Sequence, residues 1–334
     1  MKIKKLKKNN LQIFFKYFKK NYKKKHIFLK SKKIFDWQYL DGENYNFYIL
    51  VIKNKIKAIQ GYIPTSLYDK KLKNDSVFLS LWSSAGLTTG SKLFFYFSKK
   101  IKHKIIIGLG SSYQSLMFQK LLNFKCGYMN HYFLTSNKIS KKLISPSNFS
   151  NFKKQKFINN FKELNNEREI LKINKNIFAH QTPKKTQKYL INRYLNHPFY
   201  KYNIYAIKNN LKISAIFVSR VSKYQNKSAV RIVDFVGPSL RFPNGKYLFE
   251  YLLKINSSEF IDIYCYGIPK RYLDKSNLED IKKYKNQKLI IPNYFEPFTK
   301  KNIDLAYAFK IKRKVNNDVR FFKGDSDLDR PSKI

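Results

Sequence analysis

The 334-residue chain is 43% hydrophobic and 17% aromatic, enough to bury the cores of about two average domains, so wholesale disorder is excluded. Its two cysteines, Cys126 and Cys265, exclude a disulfide scaffold and a cysteine-based zinc site, and the lack of an 18-residue apolar run excludes a membrane-spanning helix. The formal net charge of +47 would point to nucleic acid or an anionic membrane, but Lys dominates the basic residues, alongside abundant Asn, Ile, Phe and Tyr, all favoured by A/T-rich codons, so most of the charge reads as solvated surface. In chain order, residues 6–18 have the spacing of a short basic amphipathic helix. Tyr45–Ile52 and Ile56–Ile63 read as a β-hairpin, and Val77–Trp82 as a third strand. Ser83–Gly90 is small and polar, and Lys92–Lys100 has the apolar content of a helix. Ile105–Ile107 is a short buried strand, Tyr113–Leu122 a helix, and Tyr128–Leu134 a strand that closes the first sheet. Residues 138–179 are polar and read as a linker carrying one helix around Phe161–Leu171. The pattern then recurs. Thr186–Leu195 is a helix, Tyr202–Lys208 and Ile213–Val221 a hairpin, Val230–Val236 a third strand, Lys246–Ile255 a helix, and Phe260–Tyr266 the strand after it. Matching element order suggests internal duplication of one α+β fold, with domains at 1–137 and 180–334.

The third strand of the first half runs into Gly86-Leu87-Thr88-Thr89-Gly90-Ser91-Lys92. A strand, a small polar turn and a helix start make an anion site, because free backbone N–H groups and the helix dipole both favour negative charge there. The spacing is not that of a P-loop. Gly108-Leu109-Gly110 lacks the third glycine of a dinucleotide fingerprint, whose place Tyr113 takes. None of the five histidines sits in a metalloprotease motif, and no G-x-S-x-G elbow exists. Asp325, Asp327 and Asp329 alternate as cation ligands could, but Arg330 stands where a calcium loop needs glycine, so no metal is expected. Arg231 and Asp234 lie close together on one strand and suggest a structural ion pair.

This element order resembles the GNAT acyltransferase fold over roughly residues 35–135. In that family acyl-CoA lies in the splay between the fourth and fifth strands, with its pyrophosphate on the loop before the central helix. The resemblance places those features at Val77–Trp82, Ile105–Ile107 and Leu87–Lys92, and makes Leu87, Thr88, Thr89, Gly90, Ser91 and Lys92 the cofactor-binding candidates. Leu121–Phe124 is similar to the family's "KLGF", and Gln119 stands where a tyrosine often serves as general acid. Phe35-Asp36-Trp37-Gln38-Tyr39, the run Ile291–Phe298 and the run Lys323–Pro331 are together similar to tandem GNAT-like proteins of bacterial surface-polysaccharide clusters. That similarity implies two GNAT-like domains, each a mostly antiparallel mixed sheet flanked by helices, the second degenerate. It implies acyl transfer from acyl-CoA, acetyl-CoA included, to an amino or hydroxyl group of a sugar or nucleotide sugar. The candidate bases are His131, Asp36 and Glu43, with His131 preferred because its ordinary pKa lies nearest working pH.

A cytoplasmic location is expected, with peripheral contact to an anionic inner membrane face through the Lys-rich first 33 residues. Specific nucleic-acid binding is not expected, since the guanine contact is mostly an Arg contact and Arg is scarce. Two other classes stay open: a basic binder of nucleic acid or an anionic surface, and an inactive GNAT-like assembly module.

Overall fold

The computed structural model describes residues 1–138, 140–153, 158–210 and 212–332, and of Leu87 the backbone only. In chain order the principal elements are β1 (Lys2–Lys7), α1 (Leu11–Asn21), α2 (Lys32–Tyr39), β2 (Asn44–Ile52), β3 (Lys55–Pro64), β4 (Ser76–Ser84), α3 (Leu87–Lys100), β5 (Ile105–Leu109), α4 (Tyr113–Leu121) and β6 (Lys125–Tyr128). There follow β7 (Asn130–Thr135), β8 (Phe161–Leu164), α5 (Glu167–Leu171), β9 (Asn203–Asn209), β10 (Lys212–Tyr224), β11 (Lys227–Val236), α6 (Lys246–Ile255), β12 (Phe260–Tyr266), β13 (Ala306–Ile311) and β14 (Phe321–Phe322). The chain divides into two compact units. The first comprises residues 1–126, 307–315 and 330–334, the second residues 127–306 and 316–329. Among the described residues no helix is long and apolar enough to cross a membrane.

The first unit holds a sheet in the order β1-β2-β3-β4-β5-β13-β6. β4 and β5 run parallel, whereas β1–β2, β2–β3, β3–β4 and β5–β13 pair antiparallel. One sheet face is covered by α1 and α2, whose Phe14, Phe35 and Tyr39 pack with Phe47 of β2. On α3, Leu93, Phe94, Phe97 and the adjoining Ile101 recur at helical spacing and are buried. Phe94 and Phe97 join Tyr62, Val77, Leu79 and Ile106 in one core cluster.

The second unit repeats the arrangement. β7, β12, β11, β10, β9 and β8 lie side by side, with β11 and β12 parallel. Its core joins Phe217, Val230, Ile232, Phe235, Ile261 and Ile263 of the sheet to Leu248, Phe249 and Leu252 of α6. The molecule is thus α+β, with two large mixed sheets flanked by helices, as the repeated element order suggests.

Four local readings are corrected. The amphipathic helix expected at residues 6–18 runs instead from Leu11 to Asn21 and buries Leu11, Phe14, Tyr17 and Phe18, while Lys2–Lys7 before it is β1, paired with β2. The strand at 128–134 does not close the first sheet. Its Asn130–Thr135 part pairs with β12 in the second, while β13, from near the end of the chain, pairs with β5. The reason is non-local, because strand partners are chosen by sheet packing and not by order along the chain. Within the expected linker, Phe161–Leu164 pairs with β9 as an edge strand, the α-helix is confined to Glu167–Leu171, and a 3-10 helix follows at Lys175–His180. Arg231 and Asp234 do not pair. Arg231 bonds Asp262 at 2.7 Å, whereas Asp234 bonds Lys185 at 2.5 Å. Val218 opposes Asp234 and Ser219 opposes Ile232, so Val233 is an extra residue that breaks the alternation between them.

Candidate functional site

β4 and β5 stay paired from Ser76 opposite Ile105 to Leu79 opposite Gly108. β4 then continues alone on that side to Ser84. On its other edge Tyr62 of β3 opposes Leu79 and Gln60 opposes Trp82, so Ser80 and Leu81 together face Gly61. This is a β-bulge, which bends a strand and sharpens its twist. It falls where pairing with β5 ends, so the two parallel strands part and β4 beyond Leu79 has no strand paired on that side among the described residues.

Beyond β4 only Ala85 and Gly86 precede α3. Gly86 is the N-cap and supplies no side-chain cap, so the first-turn N–H groups of Leu87, Thr88 and Thr89 have no partner within the helix. The expected phosphate loop is therefore shorter than the sequence suggested, and the helix starts at Leu87 instead of Lys92. Thr-Thr-Gly reads as loop by local propensity, and packing overrides it. Gly90 lies inside the helix. Its N–H is bound to Gly86 O at 3.2 Å and is not offered to a ligand. A Cβ there would lie 2.7 Å from Ser84 Oγ, so Gly90 lets α3 settle onto β4. Thr89 Oγ1 donates to Gly86 O at 2.8 Å and Ser91 Oγ to Thr88 O at 3.1 Å, while Lys92 is exposed one turn on.

Polar groups collect at the bulge. Ser80 is half-buried, and its Oγ accepts from Tyr39 Oη at 3.1 Å. Tyr39 Oη in turn accepts from Gln38 Nε2 at 2.9 Å. Trp82, the next residue but one, has a buried indole N–H with no partner among the described residues. Gln119 is buried beneath Gly108 and accepts from Ser111 Oγ at 3.2 Å. Sequence reasoning did not single out Ser80 or Trp82 as candidates, and took up Tyr39 only within the string Phe35–Tyr39.

The three candidate bases are not brought together. Asp36 accepts from Tyr45 Oη at 2.8 Å and pairs with Lys32. Burial, and then this contact, raises the Tyr45 phenol above its ordinary range. Glu43 is exposed and pairs with Lys8 at 3.2 Å. His131 belongs to the second unit, where Nε2 lies 2.9 Å from Asp262 Oδ2 and the ring stacks on Tyr264 at 4.0 Å. Asp262 also holds Arg231. Burial lowers the His131 pKa despite Asp262, so the ring is neutral in a buried ion network.

The second unit has the same strand geometry and a different filling. β11 and β12 pair from Ala229 opposite Phe260 to Ile232 opposite Ile263, then part at the Val233 bulge. Here the gap is occupied by the chain itself. β14 pairs with Cys265 and Tyr266 of β12, and Gly324 N–H donates to Val233 O at 2.7 Å. A Cβ at Gly324 would lie 2.6 Å from both Tyr194 Oη and Val233 O, so only glycine passes. The following carboxylates are committed: Lys185 Nζ lies 3.0 Å from Asp325, and Arg220 grips both oxygens of Asp329 at 2.7 Å. Beside them Lys323 donates to Asn293 Oδ1 at 2.6 Å, and burial with nearby Arg231 pulls its amine down to about 7.

Solved structures of similar fold exist. A conserved protein of unknown function from Enterococcus faecalis V583, described as a probable N-acyltransferase, superimposes with a TM-score of 0.57 at 10% identity, covering 93% of this chain and 72% of that one. A GCN5-related N-acetyltransferase from Anabaena variabilis ATCC 29413 does so with a TM-score of 0.54 at 11% identity, again covering 93% and 72%. The chain has a GNAT-like fold. No family model and no curated protein sequence matches it. Within this fold the first unit has a parted strand pair with a helix start beside it, and in the second unit β14 pairs beside the parted strands.

Proposed function

We propose that the protein transfers an acyl group from acyl-CoA to an amine, or a hydroxyl, of a sugar or nucleotide sugar in surface-polysaccharide synthesis, and that the first unit holds the donor. The observation that supports this is the first-unit wedge: parallel strands parted by a bulge and leading straight into an uncapped helix N-terminus. The diphosphate of the donor would sit on the N–H groups of Leu87, Thr88 and Thr89. Its pantetheine arm would run along the free edge of β4, with the Trp82 indole N–H as a further donor. The acceptor class rests on the three sequence strings shared with the polysaccharide-cluster proteins.

In this reading the acceptor nitrogen attacks the thioester carbon, and β4 backbone N–H groups beyond the bulge stabilise the oxyanion. The C–S bond breaks, and the departing thiolate takes the Ser80 hydroxyl proton while the Tyr39 Oη–H, held by Gln38, hydrogen-bonds the Ser80 oxygen. The proton lost by the attacking nitrogen returns through water to Ser80, so the net change is one proton moved from the nitrogen to the thiolate. Ser80 and Tyr39 thus replace His131, Asp36 and Glu43 as the candidates for proton transfer.

The test is Thr88→Glu, followed by calorimetric titration with acetyl-CoA. A carboxylate in the first turn favours the helix by a few tenths of a kcal/mol but repels a diphosphate. The melting temperature should hold or rise, and donor affinity should fall at least about tenfold, the equivalent of roughly 1.4 kcal/mol. Unchanged affinity would move the site elsewhere. Absence of binding by the unaltered protein would end the enzyme reading. Thiol release in the presence of amino sugars then tests the acceptor, and Ser80→Ala should lower kcat about a hundredfold at constant KM.

A further inference from the structure

α4 carries three large apolar side chains in water: Tyr113, Met117 and Leu121, at 70%, 43% and 78% exposure. Their spacing of four places them within roughly 80° of one another around the helix, as one stripe. Gln119, on the opposite side, faces the sheet at Gly108. The stripe does not stand alone. Phe118, on its flank, contacts Phe95 of α3 with ring centroids 6.0 Å apart, and Phe95 is itself 46% exposed. Both helices belong to the first unit. An apolar patch built from two neighbouring helices needs a reason.

The charge around it supplies one. Lys92 and Lys99 precede and follow Phe95 by three and four positions and share its exposed face, and exposed Lys120 lies beside Leu121. Neither helix contains an Asp or Glu, and none occurs anywhere from Ser76 through Lys162. Elsewhere in the first unit lysines do meet carboxylates, as at Lys8–Glu43 and Lys70–Asp41. The two helices therefore carry exposed apolar side chains together with lysines and no acid.

We infer that the α3–α4 face docks on the surface of an anionic lipid bilayer, with Phe95, Met117 and Leu121 entering below the headgroups and Lys92, Lys99 and Lys120 at the level of the lipid phosphates. The chemistry selects this occupant over two others. A second copy of the chain would bring an equally basic face against it, at a net charge of +47 per chain. A single-stranded nucleic acid would want aromatic stacking platforms, yet the most exposed residue, Leu121, has no π face. Aliphatic and aromatic side chains ringed by lysine fit the interface of an anionic membrane. This inference does not depend on the acyl-transfer reading, although it would keep the first unit beside a lipid-linked acceptor. It also differs from contact through the N-terminal lysines, since α1 spends its apolar face on the core.

The experiment is flotation of the full chain with vesicles of phosphatidylcholine alone and of phosphatidylcholine with one-quarter phosphatidylglycerol. Binding is expected on the anionic vesicles, with at least about tenfold weaker partition on the neutral ones, since the lysines find no anionic headgroups there. The double variant Met117→Glu/Leu121→Glu should lose at least about tenfold in partition while its melting temperature holds, because both side chains are exposed. Lys4→Glu/Lys5→Glu, on exposed positions of β1, should lose less. Equal partition of the Met117/Leu121 variant and the unaltered protein would overturn the inference, as would a complete loss in the Lys4/Lys5 variant alone. A shift from dimer to monomer on gel filtration of the Met117/Leu121 variant would show a self-association face and overturn it equally. So would binding to single-stranded DNA with none to vesicles.

Discussion

The two units share a sheet plan and differ in what occupies its gap. In each, a bulge falls where the parallel pair stops, at Ser80-Leu81 in one and at Val233 in the other. In the first unit Ser80 is half-exposed and a helix begins two residues after the strand ends. In the second, Val233 is fully buried and its carbonyl is used by Gly324. There Gly237–Gly245 separates strand from helix, and Phe242 within it enters the core. Under the proposed reading, parted strands alone would not make the donor site. The free edge of the bulged strand and the short turn to an uncapped helix distinguish the first unit, and both depend on a few residues outside the shared sheet.

The comparison is broken most completely by stoichiometry. One equivalent of acetyl-CoA per chain is expected in calorimetry, and two equivalents would show that β14 yields its place. Next in size is Lys185→Met. It strands the Asp234 and Asp325 carboxylates, both with buried side chains, and should destabilise the second unit by about 3–5 kcal/mol in a chemical melt. If the same variant lost all donor binding while still folded, the assignment of the donor to the first unit would fail.

Gly90→Ala should cost about 1–3 kcal/mol through the contact with Ser84, far more than a change on an open loop. Ser84→Gly in the same chain should recover most of it, and a double-mutant cycle measures the coupling. Additive losses would mean that Gly90 has another role. The smallest effect is on acid stability. Burial holds His26 and His103 of the first unit down to about 3 and about 4, and His197 of the second to about 3. The unfolded chain takes up protons on these residues below its ordinary histidine pKa while the folded chain does not, so stability falls as pH drops from about 6.5 towards 4. In the second unit burial pushes Asp325 up to about 6, which has the opposite sign and offsets part of the loss. Melts at pH 7.5 and 5 should show a lower transition at pH 5, and Asp325→Asn should steepen the fall. A flat profile would mean that these histidines already meet water.

Most central strands of the two sheets were legible because runs such as Tyr45–Ile52 and Val230–Val236 are apolar, β-branched and short, and α3 and α6 because their apolar residues recur at helical spacing, whereas β1, β8 and β13 were not read as strands. That local chemistry determined the α+β class, the repeat and the position of a strand-to-helix turn near Gly86. What the sequence could not carry was partnership across distance. β7 and β13 each suit any sheet edge of matching pattern, and only packing sent Asn130–Thr135 to the second sheet and Tyr307–Ile311 to the first. The same holds for His131, whose ordinary pKa suggested a base until burial against Asp262 and Tyr264 removed it from solvent. Ser80 and Tyr39, 41 positions apart, meet only when α2 lies over the bulge of β4. Hydrophobic periodicity is a property of neighbours in the chain, whereas bulges, plugs and buried ion pairs depend on which distant residues come to share a surface, and that is settled by the folded core.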